Sequence, residues 1–231
     1  MANFVARHTP SRVDAGNKTS ARMNQAEELV QIPWLYQLCL EGRIFVAGSG
    51  VAETEINGEG AVNDTTPTFM LAAPTAGTIV IPLYFRAYMD TEGGAAPDGF
   101  LVSYVQENKV SAASGTAMSP INCFGGAAPR KHQATALHTV SSVTAIGDDE
   151  NVVITERTHL LDDLVSTEAV TTVSSVERWD TSTFELTWQP EMPISLRYGS
   201  GIMFFAGTGT SDTEFNYTLA WAELDEDTYK V

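Results

Sequence analysis

The sequence predicts an all-β chain, folded as two antiparallel sheets packed in a sandwich. Three observations predict it. Apolar residues alternate at a period of two through much of the chain after residue 43. Turn dipeptides and Gly/Pro clusters punctuate that alternation, with no strand–helix–strand rhythm. Residues 78–90, TIVIPLYFRAYMD, alternate over their whole length. In that stretch Ile79, Ile81, Leu83, Phe85, Ala87 and Met89 fall on one expected face. Val80, Pro82, Tyr84, Arg86 and Tyr88 fall on the other, because successive strand side chains point to opposite sides. At about 3.3 Å per residue the stretch spans roughly 43 Å, so its neighbours must be long too. Pro82 lacks an N–H for the ladder and predicts an edge or a bulge there.

Taken in order, residues 1–23 carry no period and read as an extended arm. Asn24 and Glu27 have the spacing of a helix cap, which predicts a short helix over residues 25–30 that Pro33 ends. A single kinked helix over 25–40 is the alternative. The expected division is an arm with its short helix at 1–31 and one sandwich domain at 32–231. Strands are expected at 43–47, 51–56 and 68–71, then in the long stretch, then from Phe100. Gly93 to Gly99 reads as a loop tip. Residues 107–133, rich in Ala, Ser and Gly, show no clear period and read as a contact-making loop. Residues 134–146 alternate again, Leu137 and Val143 against Val140 and Ile146. An acidic turn at Gly147-Asp148-Asp149-Glu150 follows, then a strand at 151–155, a helical turn near 158–164 and a strand at 164–174. Residues 181–188 place Phe184, Leu186 and Trp188 inward. Residues 194–198 and 201–206 come next, then a turn cluster at 207–212. The last strand, 213–222, puts Phe215, Tyr217, Leu219 and Trp221 on the core face, with Glu214, Asn216, Thr218 and Ala220 outward. Eight to twelve strands in a chain of this length predict a jelly roll.

The totals fit one large β domain. Of 231 residues, 43% are hydrophobic, enough to fill a sizeable core. Charge is uneven. Residues 1–24 hold Arg7, Arg12, Lys18 and Arg22 against Asp14, a net of +3, which leaves −19 of the total −16 on the remainder. A basic arm on an acidic body suits an acidic neighbour or nucleic acid, whereas the body itself repels nucleic acid. Two cysteines, Cys39 and Cys123, make no framework and read as buried thiols, with one disulfide open to them. No run of about 18 apolar residues or signal-like leader occurs, so folding in a reducing cytoplasm with no membrane span is expected. Sequons at Asn17, Asn63 and Asn216 read as chance in a Thr-rich chain.

Chemistry is hard to place. His8, His132, His138 and His159 include no helical i, i+4 pair, and neither cysteine has a C-x-x-C partner. His132 and His138 share a face if both lie in one strand, but read as polar surface rather than ligands. The acidic runs Asp148-Asp149-Glu150 and Asp162-Asp163 lack EF-hand spacing and read as solvated turns. Gly48-Ser49-Gly50, Gly199-Ser200-Gly201 and Gly207-Thr208-Gly209 lack the rest of a phosphate loop. No G-x-S-x-G elbow is present. Paired carboxylates, Glu53 with Glu55 or Glu185 with Glu214, leave a sandwich glycosidase open. A non-catalytic glycan binder would use Trp34, Trp179 and loop tyrosines for stacking, while Trp188 and Trp221 read as core. No catalytic, cofactor-binding or metal-binding residue is assigned, and no cofactor or small-molecule substrate is expected.

Two segments carry a resemblance: FMLAAPTAGTIVIPLYF at 69–85 and GTSDTEFNYTLAWAEL at 209–224. With them, the Thr/Ala/Gly-rich strands and the leading arm, the chain resembles the single jelly-roll structural proteins of viruses, capsid or capsid-associated proteins of DNA phages and their relatives. The resemblance covers about residues 43–224 as a pattern. It implies a virion protein, made in the host cytoplasm, that self-assembles with copies of itself and other capsid proteins. Its arm would reach under or into neighbouring subunits. Genome-binding arms are usually far more basic than this one, so Arg7, Arg12, Lys18 and Arg22 are expected to meet acidic neighbouring subunits.

Overall fold

The computed structural model describes residues 33–49, 55–58, 63, 65–91, 100–105, 110, 112–126, 130–144, 152–158, 185–190, 194–206 and 214–228. They form one short helix, α1 (Trp34–Leu40), and strands β1 (Ile44–Gly48), β2 (Ile56–Asn57), β3 (Phe69–Ala72), β4 (Thr78–Thr91), β5 (Phe100–Val105) and β6 (Ala112–Ala117). Then follow β7 (Ile121–Asn122), β8 (Thr135–Thr144), β9 (Val152–Thr158), β10 (Glu185–Trp188), β11 (Gly201–Ala206) and β12 (Glu214–Asp225), closed by a 3-10 turn at Glu226–Thr228. Sheet 1 runs β10-β4-β12-β1-β7, with β2 also on β12. Sheet 2 runs β6-β8-β3-β11-β5-β9. The pairings are antiparallel throughout. The expected all-β, two-sheet sandwich with a short helix is therefore the fold.

The pairing is nested. Setting β2, β6, β7 and β8 aside leaves eight strands. The first pairs with the last (β1 with β12), the second with the seventh (β3 with β11), the third with the sixth (β4 with β10), and the fourth with the fifth (β5 with β9).

Between the sheets lies an aromatic core. Phe85 of sheet 1 stacks on Phe204 of sheet 2, with ring centroids 4.2 Å apart. Phe69 packs on Phe85 and Tyr217 at 5.1 and 4.8 Å, and Trp188 meets Phe204 edge-on at 5.3 Å. The inward row Phe215, Tyr217, Leu219 and Trp221 falls on β12 as the alternation predicts. Asn216 and Ala220, on the opposite face of β12, are buried as well. A sequon asparagine 1% exposed is not a surface acceptor.

The long strand departs from its predicted faces. Its pairing with β12 steps from Ala220↔Tyr84 to Trp221↔Pro82, which leaves Leu83 as an extra residue. An extra residue bulges the strand and inverts the alternation beyond it. Phe85 and Ala87 therefore face the core together with Val80, whereas Ile79, Ile81 and Leu83 turn to the outside of sheet 1. The proline accounts for the step. β4 is an interior strand, so of the two expected placements for Pro82 it is the bulge that occurs. On its other side β10 pairs only with residues 85–88, and the next contact is the Val80↔Leu196 bridge. Pro82 sits in that gap, where no N–H is required.

The outward turn of Ile79, Ile81 and Leu83 leaves an apolar patch on sheet 1, and α1 covers it. Leu38 packs there with Ile44, Ile79, Ala222 and Leu224. Pro33 precedes this helix, and the helix expected before it, at 25–30, lies outside the described residues. Proline fixes its own φ and needs no N–H at a helix start. The helix closes on Gly42 at φ +66°, with Gly42 N–H donating to the Cys39 carbonyl and Arg43 N–H to the Leu38 carbonyl. That paired pattern is a Schellman cap, and its left-handed residue favours glycine.

Sheet 2 is apolar on both faces. Met70, Ala72, Val105, Leu137, Val140, Val143, Met203 and Phe205 form a second buried cluster on its outer side. Leu137 and Val143 were expected opposite Val140, but all three share this cluster. The cause is a break in β8 at Thr139, φ +48°, where the register against β6 shifts between Ser114 and Thr116. Gly115 lies at the shift, where a Cβ would come within 3.0 Å of Val140 Cα. The supposedly irregular residues 107–133 contain β6 and β7. Outside the described residues lie the arm with its helix at 25–30, most of the strand at 51–56, the tip at 93–99, the turns at 147–150 and 207–212, and the elements at 159–174.

Phe204 is fully buried between Phe85 and Trp188. Phe204→Ala is expected to cost about 3–5 kcal/mol of unfolding free energy, read as a lowered urea midpoint at unchanged m.

Candidate interaction surface

At one end of sheet 1, α1, β7, residues 123–126 and 130–134 and the end of β12 come together. The sequence makes this end polar within and apolar without. Arg43, its side chain 7% exposed, pairs with Glu41 at 3.0 Å and Asp225 at 2.9 Å. It also donates to the Glu223 carbonyl at 3.3 Å. Arg130 reaches the other oxygen of Asp225 at 2.6 Å. Glu223 is fully buried on the inward face of β12. Its carboxylate accepts from the N–H groups of Gln133 and Ala134, each at 2.9 Å, and from Trp221 Nε1 at 3.0 Å. A buried carboxylate needs such donors, since burying one without partners costs several kcal/mol. Asn122 Nδ2 ties the Gly42 and Arg130 carbonyls at 2.8 and 3.0 Å. These bonds clamp residues 130–134 and β7 onto the end of α1.

Outside this clamp stand the large apolar side chains. Trp34 is 58% exposed, Tyr36 68%, Leu40 60% and Ile121 74%, with Leu35 and Phe124 less so. The two groups adjoin, because the Cys39 thiol lies 3.9 Å from the Cys123 carbonyl and β7 pairs with β1. Beneath the patch the carboxylates of Glu41 and Asp225 are paired with the guanidinium groups of Arg43 and Arg130. A cluster of exposed apolar side chains is the chemistry of a surface that takes a partner.

The other sequence-predicted residues are dispersed. Arg7, Arg12, Lys18, Arg22, Glu53, Trp179, His8, His159 and both acidic runs, 148–150 and 162–163, lie outside the described residues. Trp34 is on the patch. Trp188 and Trp221 are core, as expected. Glu185 and Glu214 belong to strands on either side of β4, opposite Tyr88 and Thr91, so an offset of three residues along β4 adds to the two strand spacings of roughly 5 Å each between them. His132 and His138 are separated. His132 precedes β8 and packs edge-on to Phe45 and Trp221, whereas His138 packs on Tyr217. Trp221 and Tyr217 are four residues apart on one strand, roughly 13 Å, so the two imidazoles do not converge on one ion. Burial lowers the His138 pKa. Among the described residues no group of three or more His, Cys, Asp or Glu is placed to hold a metal, and no helix is long and apolar enough to cross a membrane. Gly48 ends β1, Ser49 bonds Asn216, and Gly199 and Ser200 form a turn into β11, so these glycine pairs are strand and turn chemistry.

The buried thiols expected from the sequence are not both buried: Cys39 is half-buried and Cys123 exposed, because both border the patch. Sequence reasoning missed Glu223, Arg43 and Asp225 as a set. Ile121 and Phe124 fall in the stretch read as contact-making, although their position beside α1 had no signal. Comparison with protein-family models, curated proteins and solved structures gives no match to this chain.

Glu223→Gln replaces one acceptor oxygen with an amide N–H₂ facing backbone donors. A loss of about 1–3 kcal/mol is expected, with faster hydrogen exchange at Gln133 and Ala134. Tyr217 supplies a pH test. Burial pushes its pKa up to about 12 from 10, so the folded state holds the phenol proton more tightly than the unfolded one. That contribution is intact below pH 10 and is lost as pH rises toward 12, on the order of 2 kcal/mol. Tyr217→Phe is expected to remove this alkaline slope from urea titrations.

Proposed function

We propose that this chain is a virion structural protein, a self-assembling shell subunit built on a jelly roll, made in the host cytoplasm and carried in the particle. The observation that carries the reading is the nested pairing, first strand with last through fourth with fifth. That order is what results when one long antiparallel ribbon of four strand pairs folds over into two sheets, as in the jelly rolls of viral shells. Two further features support assembly over a solitary role. The patch of Trp34, Tyr36, Leu40 and Ile121 offers apolar surface, and the +3 leader complements a −19 body. In this reading Arg7, Arg12, Lys18 and Arg22 dock on the acidic surface of a neighbouring copy, not on genome. Ordering that leader costs about 1–2 kcal/mol per residue, so it must make substantial contact.

The full chain is expected to sediment as a large symmetric assembly visible by electron microscopy. Deleting residues 1–24 is expected to leave the sandwich folded, with an unchanged circular dichroism melt, while lowering particle yield or salt resistance at least about tenfold. Unchanged yield and stability of particles after the deletion count against the arm's role. A second reading has one observation in its favour: Trp34 and Tyr36 are exposed aromatics of the kind that stack on sugars. A monomer that binds glycans saturably, and loses this with Trp34→Ala, would replace the shell with a carbohydrate-binding sandwich.

A further inference from the structure

The two cysteines are 84 positions apart in the chain but adjacent in the fold. The sulfur of Cys39, in the last turn of α1, lies 3.9 Å from the carbonyl oxygen of Cys123. The second sulfur hangs from that same residue, one Cα–Cβ bond from its backbone, close enough that Cys39 acts on its titration. Neighbouring contacts hold the two backbones in place. Cys123 N–H donates to the Ile44 carbonyl at 2.9 Å, Asn122 Nδ2 to the Gly42 carbonyl at 2.8 Å, and Phe124 N–H to Asn122 Oδ1 at 2.8 Å. Both thiols are free, and neither is sealed in the core.

We propose that Cys39 and Cys123 are an oxidative modification site, closing into an intrachain disulfide that staples α1 to the β7 edge. With glutathione disulfide as the oxidant, the exposed Cys123 reacts first. Its thiol gives a proton to water, and the thiolate attacks one glutathione sulfur and expels the other glutathione as a thiolate. Cys39, likewise deprotonated, then attacks the Cys123 sulfur of the mixed disulfide and expels the second glutathione. Two protein thiols have lost two protons and two electrons, and one glutathione disulfide has become two glutathiones. The Cys123 thiol titrates above its usual range, through burial first and the neighbouring Cys39 second. The thiolate is the nucleophile, so closure is slow near neutrality and speeds up as pH rises. A reducing cytoplasm leaves the pair open, and an oxidising medium closes it. The consequence is local. Oxidation fixes the helix that bears the exposed Trp34 and Tyr36, and fixes the point at which residues 1–32 join the sandwich. This inference does not depend on the chain forming a shell.

The test uses the full chain in whatever assembled state it purifies. It is incubated with glutathione disulfide at pH 8, denatured, treated with N-ethylmaleimide and weighed intact. The expected product has lost two hydrogens, takes up no maleimide, runs as a monomer on a non-reducing denaturing gel and reverts with dithiothreitol. Its melting temperature is expected to rise by at least about 3 °C. C39S and C123S are each expected to carry one adduct and to show no oxidation-dependent shift. Two maleimides per chain, two glutathione adducts, or a covalent dimer would each overturn the proposal.

Discussion

The ladder between β4 and β12 governs the rest of the molecule. Twelve residue pairs join them, from Thr78↔Asp225 to Thr91↔Glu214. Two residues of β4 are left over in it, Asp90 near one end and Leu83 within it, and the consequence depends on Leu83. Without it, Ile79, Ile81 and Leu83 would face the core beside Phe85, and one side of the strand would be apolar throughout. With it, the apolar stripe crosses from the inner face to the outer one. Sheet 1 then has an apolar outer patch at the end where Ala222 and Leu224 also face outward. Something must cover that patch, and Leu38 of α1 does. A helix of seven residues is too short to persist on its own propensity. Its existence follows from the patch, and the patch follows from the bulge.

The same logic shows what the sequence could and could not reveal. Strand presence was legible because alternation and turn residues are local properties. The length of β4, the inward row of β12 and the core roles of Trp188 and Trp221 all follow from period two. Face assignment beyond a bulge was not legible, because a bulge is fixed by pairing with another strand. Pro82 announced an irregularity, yet only the register with β12 shows that Leu83 is the residue left over. At Thr139 not even a proline marks the break. A threonine at φ +48° has no strong sequence signature. The small, apolar-poor β6 was invisible for a different reason. Ala-Ala-Ser-Gly-Thr-Ala has no alternation to read, and it becomes a strand because β8 offers a ladder.

The candidate surface was legible only in its parts. In the sequence the apolar residues Trp34, Leu35, Tyr36, Leu38 and Leu40 and the acidic residues Asp225, Glu226 and Asp227 stand far apart. Nothing in the sequence linked them to Arg43, Arg130 or Glu223: the ion pairs of Arg43 and Arg130 with Asp225 span 182 and 95 residues of chain, and the bonds of Glu223 to Gln133 and Ala134 span 90 and 89. An inward carboxylate on a strand reads as an error in alternation until its donors are known. Here the donors are two backbone N–H groups and an indole, which sequence patterning does not display.

Folding and exposure make opposite demands on α1. Burial of Leu38 and partial burial of Cys39 attach the helix to sheet 1, and Gly42 closes it. Trp34, Tyr36 and Leu40 contribute less to that attachment, for more than half of each surface remains in water. Polar residues at those positions would serve the helix equally well and would improve solubility. Their presence therefore belongs to something other than the stability of the single chain.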